Sequence, residues 1–345
     1  MDRRKWKRNV TIMVLGAFNA ESLSSSTPPY QWVSNGWAIF VTFMFYGLML
    51  LVIEDLVSRY SLDYRKLLLI GFIYGILEEG FLALTNELPA PPGFMAGFGR
   101  YYGLNVPWTI FISEFHAIYT VVLTFMIADL IIPREKTGPV LSKKQYVPVL
   151  AYLAFLYLFV PNAVINMVST KSNFAMLLFE PQFYLSNFFL INSIKIYPTG
   201  ESVVIQLVAI LVLSVLVIRL PRLNMDGSGK EVVSRRSYAI RVLAFELMFW
   251  VPYMIQFLHG SDFLAVIYYL LLPIVFWRLI LSKIRRDNLF DTKKIAAISL
   301  TLLLFFGGFG VFIYFLRGDL LDGLIVIAAL GIEVWLIIRK SSHSN

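Results

Sequence analysis

The chain has 345 residues, of which 58% are hydrophobic and 15% are charged, and its mean hydropathy is +0.71. These values exclude a water-soluble globular protein, because too few polar residues exist to cover its surface. The chain contains no cysteine, which excludes disulfides, thiolate metal ligands and thiol catalysis. The net charge of +8 comes mostly from basic residues between hydrophobic runs, so it indicates membrane topology, and we expect no nucleic-acid partner.

The hydrophobic residues form runs of roughly 20, the length of an α-helix that crosses a hydrocarbon core ~30 Å thick. Helices also satisfy their own backbone hydrogen bonds in lipid. We therefore predict an all-α fold, a polytopic transmembrane helix bundle that forms a single domain over residues 1–345, with about nine or ten spans. The clear spans are predicted at about 37–57, 67–85, 107–132, 147–169, 201–220, 238–258, 262–282, 295–316 and 320–338.

The segment at about 9–22 is the tenth candidate span, although it is short and carries Asn19 and Glu21. By length alone it is equally typical of an interfacial or signal-like segment. If it crosses the membrane, most Lys and Arg residues fall on one side, and this asymmetry weakens if it does not. Because cytoplasmic loops are basic, we predict ten segments in the cell membrane with the N- and C-termini cytoplasmic and membrane lipids as partners.

Two predicted outer connections are longer than a turn. Residues 86–106 are rich in proline and glycine, which excludes a regular helix and indicates an ordered loop or lid. Residues 171–200 carry many phenylalanines and are typical of an aromatic segment in the outer membrane interface, with no other function required.

Ionisable side chains inside spans are costly in lipid, so they are the first candidates for function. Glu246 lies somewhat deep in its span. Six others lie near predicted cytoplasmic helix ends, where snorkelling or pairing with loop Arg and Lys residues accounts for them. These are Glu54, Asp55, Asp129, Arg241, Arg278 and Glu333.

Glu78 and Glu79 lie deeper, about 12 residues into a span that begins near Lys66, which places them roughly 18 Å from the cytoplasmic face. His116 reaches nearly the same depth from the opposite side, in the next span along the chain. Consecutive spans joined by one loop are usually antiparallel neighbours. The sequence therefore predicts that the two carboxyl groups and the imidazole converge inside the membrane.

Helical periodicity sharpens this grouping. Gly71, Gly75 and Glu79 share one helix face, where small residues let a partner helix approach closely. The face of His116 carries a polar stripe that we expect to be buried in protein or to face water. Glu114 points elsewhere and is left out of the predicted site. The stripe residues that share the face of His116 are Thr109, Ser113 and Thr120.

Two adjacent carboxylates in a low dielectric do not both ionise easily, so at least one is expected to donate or accept a proton. With His116 they could activate water for attack on a carbonyl, while Asn162 or Asn166 steadies the oxyanion. The same groups could instead carry a proton or bind a cation, or form a network that only fixes helix packing. A single intramembrane histidine argues against a hydrolytic zinc site, so we expect no metal and no cofactor.

The order of these motifs resembles the CPBP family (CAAX proteases and bacteriocin-processing proteins), which are intramembrane glutamate proteases. That family shows EExxxR, FxxxH and HxxxN or HxxxD motifs. Glu78 and Glu79 match the first pair, His116 matches the second motif's histidine, and Asn166 matches the last Asn. The chain departs from these motifs at three positions. Ala83 stands in place of the Arg, Ile112 in place of the Phe and Asn162 in place of the His.

A larger part of the chain, roughly the first 135 residues, resembles a group of uncharacterised prokaryotic membrane proteins. The shared strings are similar to SSSTPP (24–29), YGILEEG (74–80) and GRYYGLN (99–105). This resemblance implies no activity. It suggests that Arg100 folds inward to pair with Glu78 or Glu79 in place of the missing motif arginine.

The leading hypothesis is therefore a CPBP-like intramembrane hydrolase that acts on a peptide or lipid-linked substrate. Glu78 or Glu79 would be the base, His116 its partner and Asn166 the oxyanion donor, with Asn162 nearby. A proton- or ion-coupled transporter and a non-catalytic scaffold descended from the protease fold are the alternatives. The candidate substrate-binding residues are Arg100, Ser113 and Thr120.

Overall fold

The computed structural model describes residues 3–34, 38–86, 99–134, 139–170, 200–221, 235–259, 262–283 and 289–342. These residues form helices joined by short connections, with one two-stranded hairpin. The helices are α1 Arg3–Ala17, α2 Pro29–Ser34, α3 Met44–Tyr60, α4 Tyr64–Leu77, α5 Val106–Phe115, α6 Thr124–Ile131, α7 Lys143–Thr170, α8 Gly200–Arg219, α9 Arg235–His259, α10 Asp262–Leu279, α11 Leu289–Arg317 and α12 Leu320–Ser342.

Several of these helices continue through wider, π-helical turns. Such a turn follows α1, another precedes α3, a third follows α4, and a fourth joins α5 to α6 without a break. Their bounds are Phe18–Ser22, Ala38–Phe43, Glu78–Leu82 and His116–Leu123, and a 3-10 turn at Leu281–Lys283 follows α10.

Within the described part of the chain, five helices are long and apolar enough to cross a membrane. They are Val106–Ile131, Lys143–Pro161, Gly200–Arg219, Thr292–Arg317 and Leu320–Ser342. The predicted all-α membrane bundle is confirmed. The other predicted spans also coincide with helices, but these helices are shorter or carry more charge.

The helix Val106–Ile131 is the centre of the bundle, since its most apolar stretch is 89% buried. The helix α8 lies at the periphery, where only 11% of the corresponding stretch is buried. Aliphatic side chains such as Leu211 and Ile218 are exposed on α8. In a bilayer this surface faces lipid, so the most protected part of the protein is the helix that carries His116.

Two glycines let α4 lie directly against the central helix. A Cβ atom added to Gly75 would lie 2.6 Å from the Cα atom of Ser113, and one added to Gly71 would lie 2.6 Å from the Cα atom of Ala117. No side chain larger than hydrogen fits at these separations without a shift of the backbone. The small-residue face predicted beside Glu79 therefore packs on the helix of His116.

Charged side chains at the N-terminal end of α1 form a buried ion network. The Arg8 guanidinium donates to Glu54 at 2.8 Å and to Asp129 at 2.6 Å, and Arg134 also donates to Glu54. Asp55 accepts hydrogen bonds from Arg59. The pairing predicted for Glu54, Asp55 and Asp129 thus forms, and we call this end of the bundle the basic end.

Glu333 does not fit the predicted role of an interface anchor. Its side chain is buried in α12, and one carboxylate oxygen has no hydrogen-bond partner among the described residues. It lies nine positions before the end of α12 at Ser342, and its burial is inconsistent with an anchor at the interface. Arg241 behaves closer to expectation, since it donates to the carbonyl oxygen of Leu279 at 3.4 Å.

The predicted outer loop 86–106 is described only in part. Its last residues form an antiparallel hairpin of β1 Arg100–Tyr101 and β2 Leu104–Asn105. The backbone N–H of Asn105 donates to the carbonyl oxygen of Asn86 at 2.8 Å, which ties the two ends of the loop together. The intervening residues 87–98 and nearly all of the predicted aromatic segment 171–200 lie outside the described residues, and the single-domain organisation stays a prediction.

Candidate functional site

Glu78, Glu79 and His116 each lie in a π-helical turn. Glu78 and Glu79 open the turn after α4, and His116 opens the turn after α5. Such turns widen a helix by one residue and occur frequently at functional sites, because they break the regular spacing of side chains. Here the widening lets two consecutive glutamates face the same imidazole.

Local capping fixes where these two helices begin. The Asp63 side chain accepts hydrogen bonds from the backbone N–H groups of Arg65 and Lys66 and caps α4. The Asn105 side chain caps α5 in the same way, with the Trp108 N–H donating at 3.1 Å. These caps pair backbone N–H groups that have no partner inside the helix. They fix the residue at which each helix begins, and so the turn on which the glutamates and His116 lie.

The structure brings Glu78, Glu79 and His116 into direct contact, as their depths predict. The His116 Nε2 atom lies 2.9 Å from Glu79 Oε1, and its Nδ1 atom lies 3.4 Å from Glu78 Oε2. Nδ1 also lies 3.0 Å from the Thr120 hydroxyl. All three residues are buried. The imidazole therefore lies between two carboxyl groups in the buried interior of the bundle.

Hydrogen bonds extend this cluster on both sides. The Tyr46 hydroxyl contacts Glu78, and it lies 2.8 Å from Glu21 Oε1. The other carboxylate oxygen of Glu21, Oε2, accepts from the Thr27 hydroxyl at 2.6 Å. On the other side Thr85 donates to Glu79, and the Trp108 indole N–H donates to Thr85 at 3.0 Å. The result is one connected chain of polar groups from Thr27 to Trp108.

The charge of the cluster is unbalanced. Three carboxyl groups, those of Glu21, Glu78 and Glu79, are joined through Tyr46 and His116. Among the residues that the structure describes, the ion-pair partner of Glu78 and of Glu79 is the imidazole of His116. Several like charges in a low dielectric repel strongly, so protons or a cation must neutralise part of the cluster.

The predicted substrate-binding residues have different surroundings. Thr120 contacts His116, as stated above. The Ser113 hydroxyl is buried where α5 meets Gly75, and it has no hydrogen-bond partner within the described residues. The Arg100 guanidinium donates to the carbonyl oxygen of Gly103 at 3.3 Å, inside its own hairpin, so its pairing with Glu78 or Glu79 stays a prediction.

Asn162 and Asn166 lie on α7, which spans Lys143–Thr170. Their side chains are outside the described part of the structure, so their proposed role beside an oxyanion stays a prediction. Earlier in α7, the Tyr157 ring packs edge-on against Phe45 at 6.0 Å, next to Tyr46.

The same three side chains could hold a metal ion. One ligand atom from each of Glu78, Glu79 and His116 lies within 4.8 Å of the others. The set offers one nitrogen ligand and two carboxylates. Carboxylate oxygens suit a hard cation, whereas a hydrolytic zinc site usually has more than one histidine. The single histidine in the sequence predicts no metal site, whereas the distances between these ligand atoms are short enough for one ion to contact all three.

A second buried polar cluster surrounds Glu246. Its carboxylate accepts hydrogen bonds from the Tyr119 hydroxyl and from the Trp250 indole at 3.1 Å. Glu114 is fully buried, interacts electrostatically with Glu246, and both its carboxylate oxygens lack a hydrogen-bond partner among the described groups. The prediction that Glu114 faces away from the first cluster agrees with this arrangement.

Sequence reasoning missed the roles of Glu21 and Tyr46. In the sequence, Glu21 is a polar residue that weakens the first predicted span. A tyrosine in an apolar span gives no signal of its own, because most such rings pack as hydrophobic groups. The one available signal was the SSSTPP string, since its Thr27 donates to Glu21.

No curated protein and no solved structure matches this chain. A protein family described as an uncharacterized membrane protein family matches residues 10–340, which include every residue of the cluster from Glu21 to His116. The match extends over nearly the whole chain and agrees with the helical membrane bundle described above. The chain therefore belongs to this family of membrane proteins.

Proposed function

We propose that this integral membrane protein is an intramembrane hydrolase that acts on a peptide or lipid-linked substrate. The observation that carries the proposal is the 2.9 Å contact between His116 Nε2 and Glu79 Oε1 inside the bundle. A carboxyl group paired with an imidazole at hydrogen-bond distance is the arrangement needed for general acid–base catalysis.

In the proposed reaction Glu79 takes a proton from water as the oxygen attacks a carbonyl carbon. His116 shares that proton and returns it to the leaving group. Glu78, on the other side of the imidazole, holds the ring in place through its contact with Nδ1. Asn166, with Asn162, would donate hydrogen bonds to the oxyanion. Such stabilisation of the oxyanion is usually the largest single contribution to the rate enhancement.

The resemblance to the CPBP family supports this assignment at Glu78, Glu79 and His116. At Ala83 the family's arginine is missing, so this position supplies no positive charge to the site. In our proposal Arg100 supplies the missing positive charge when substrate is bound. The hairpin that carries Arg100 ends at Asn105, which caps the helix of His116, so Arg100 lies on the segment that leads directly into that helix.

A proton-coupled carrier is the second candidate, favoured by polar groups that continue from His116 toward the basic end. Thr120 contacts His116, and one turn further the Thr124 hydroxyl accepts from Asn19 at 3.1 Å. Asp129, bonded to Arg8, lies at the end of the same helix. A carrier needs such a route between the two faces of the membrane.

The decisive test uses Glu79→Gln and His116→Ala in the full chain reconstituted into liposomes. Quenched-fluorescent peptides, with and without a lipid chain, serve as probes of hydrolysis. We expect wild-type cleavage to fall about a hundredfold or more in either variant, because each removes one half of the acid–base pair. Thermal unfolding, measured in detergent, should stay close to that of the wild type.

Glu333→Gln is the matched control, since Glu333 is also a buried glutamate but belongs to α12. It should cleave like the wild type. Cleavage that persists in Glu79→Gln contradicts the proposal. Probe peptides that stay intact, together with proton uptake into the liposomes that depends on Glu79, would favour the carrier.

A further inference from the structure

The peripheral helix α8 buries two polar side chains against the rest of the bundle. Most of its side chains are exposed, and its buried residues are Ser202 and Gln206, one turn apart. Gln206 is 1% exposed. Polar groups inside a membrane are costly in lipid and occur at interhelical contacts or functional sites. The burial of this amide group therefore has a cause other than hydrophobic packing.

Gln206 fills a space that the sequence keeps open at Gly80. Gly80 belongs to the π-helical turn that Glu78 and Glu79 open. A Cβ atom added to Gly80 would lie 1.7 Å from Gln206 Oε1. The amide group of Gln206 therefore lies against the backbone of the turn that presents Glu79, and a side chain at position 80 would displace it.

From this space Gln206 holds the segment that follows the turn. Its Oε1 atom accepts a hydrogen bond from the side-chain amide of Asn86 at 3.1 Å. The backbone N–H of Asn86 donates to the Glu79 carbonyl oxygen at 3.3 Å, and its carbonyl oxygen accepts from Asn105 at 2.8 Å. Asn86 is thus tied to α8, to the turn of Glu79 and to the residue that caps the helix of His116.

The residue before Asn86 contacts the carboxyl group of Glu79 directly. The Thr85 hydroxyl donates to Glu79 Oε2, while Glu79 Oε1 lies 2.9 Å from His116 Nε2. The carboxyl group is therefore held between Thr85 and His116. Its orientation depends on where the segment 83–86 places the Thr85 hydroxyl.

This segment reaches Thr85 through a strained residue. Leu84 has a φ of 58°, in the left-handed region that residues with bulky side chains rarely adopt. Such a conformation persists only where the surrounding contacts impose it, and it is typical of functional sites. Two residues later, Asn86 is fixed by the bonds described above. Loss of Gln206 removes one of those bonds and lets the segment relax, which moves the Thr85 hydroxyl.

We propose that Gln206 is a positioning residue for Glu79. Through Asn86 it holds Thr85 against the Glu79 carboxyl group, and so it fixes the geometry in which Glu79 meets His116. The value of this geometry for catalysis rests on the proposed function, whereas the positioning rests on the contacts of the segment 83–86. Gln206 acts through other residues and takes no part in proton transfer.

A spectroscopic test reads the contact at His116 without any assay of activity. The chain has three histidines, so His259→Gln with His343→Gln leaves His116 as the single imidazole. Nitrogen NMR of this full-length protein, labelled on histidine and reconstituted in lipid, gives the resonance of His116 Nε2. This resonance depends on the hydrogen bond between Nε2 and Glu79.

In this background Gln206→Leu replaces the amide with an apolar side chain of similar size. It should shift the Nε2 resonance of His116 in the same direction as Thr85→Val, because both substitutions release Glu79 Oε2. The double variant should shift the resonance no further than Thr85→Val alone, since residues that act along one path are not additive. Thermal unfolding in detergent verifies that each variant is folded.

Peptide cleavage by the same variants is the second measurement. A displacement of about 1 Å at a reacting group can cost about a hundredfold in rate. We expect Gln206→Leu to lower kcat by about tenfold and to change KM less than about twofold, because it alters the orientation of the acid–base pair and leaves substrate binding in place.

Ser214→Ala is the matched control. Ser214 is another polar residue of α8, but its hydroxyl donates to the Ile210 carbonyl oxygen of the same helix at 2.7 Å. This variant should leave both the His116 resonance and kcat at the wild-type values. Gly80→Ala, which displaces the amide of Gln206 without removing it, keeps the test decisive if Gln206→Leu does not fold, and it should shift the resonance likewise.

A His116 resonance that stays at its wild-type position in folded Gln206→Leu overturns the positioning role, even where thermal unfolding shows that α8 is held less firmly. Additive shifts in Gln206→Leu and Thr85→Val overturn it too, because Gln206 would then act by a route that bypasses Thr85. A protein that cleaves no peptide but shows the expected shifts contradicts the proposed function and supports the positioning.

Discussion

At the scale of single residues, the ion network at the basic end and the cluster around His116 neutralise their buried carboxylates in different ways. Glu54 is 1% exposed and has two guanidinium partners, Arg8 and Arg134. Glu78 and Glu79 instead share one imidazole and must rely on protons. The first arrangement is structural, because every charge has a fixed partner. The second arrangement can gain or lose protons, which general acid–base catalysis requires.

This contrast predicts a large loss of stability for Arg8→Ala. The substitution leaves Glu54 with only Arg134 and removes the short contact to Asp129. Removal of one partner from a buried ion network costs about 3–5 kcal/mol. Thermal unfolding in detergent measures this loss of stability. Lys7→Ala, one residue away on the exposed side of the same helix, should unfold like the wild type. Equal stability of the two variants contradicts the structural role of the network.

At the scale of helices, the site depends on how closely α4 approaches the central helix. Gly71 and Gly75 permit the contact with Ala117 and Ser113, and the glutamates follow one turn later. The sequence predicted both the glycine face and the shared depth of the glutamates and His116, because helical periodicity and rise are local properties. It could not predict the π-helical turns, since these depend on packing against neighbouring helices.

Gly75→Ala tests this close approach. The new Cβ atom would meet the backbone of Ser113, so the helices must separate, and we expect a loss of about 1–3 kcal/mol in stability together with weaker contact between Glu79 and His116. Thermal unfolding measures the loss of stability, and nitrogen NMR of His116 measures its contact with Glu79. Gly308→Ala is the control, because a Cβ there meets nothing within 4 Å. Unaltered stability in Gly75→Ala would show that the helices do not touch there.

At the scale of the whole molecule, the basic end collects the charged network of Arg8, Glu54 and Asp129, while the hairpin of Arg100 caps the helix of His116 at the other end. We propose that the basic end faces the cytoplasm of the cell and that both termini lie there. Loops rich in Lys and Arg remain on that side during insertion.

The absence of cysteine makes this orientation directly measurable. Single cysteines introduced by Lys7→Cys, Ser341→Cys and Tyr102→Cys lie on the first helix, the last helix and the exposed hairpin. A membrane-impermeant maleimide added to intact cells should label Tyr102→Cys alone, and it should label the other two after lysis. Labelling of Lys7→Cys in intact cells would place the N-terminus outside.

The sequence by itself determined that this is a helical membrane protein, where its helices run, and which ionisable groups lie at the same depth. Those properties follow from hydropathy and helical rise, which neighbouring residues set. Only the tertiary structure decided that Tyr46 joins Glu21 to Glu78 and that Glu114 belongs with Glu246. Such pairings depend on the rotation of each helix about its axis, and that rotation is fixed by packing between residues distant in sequence.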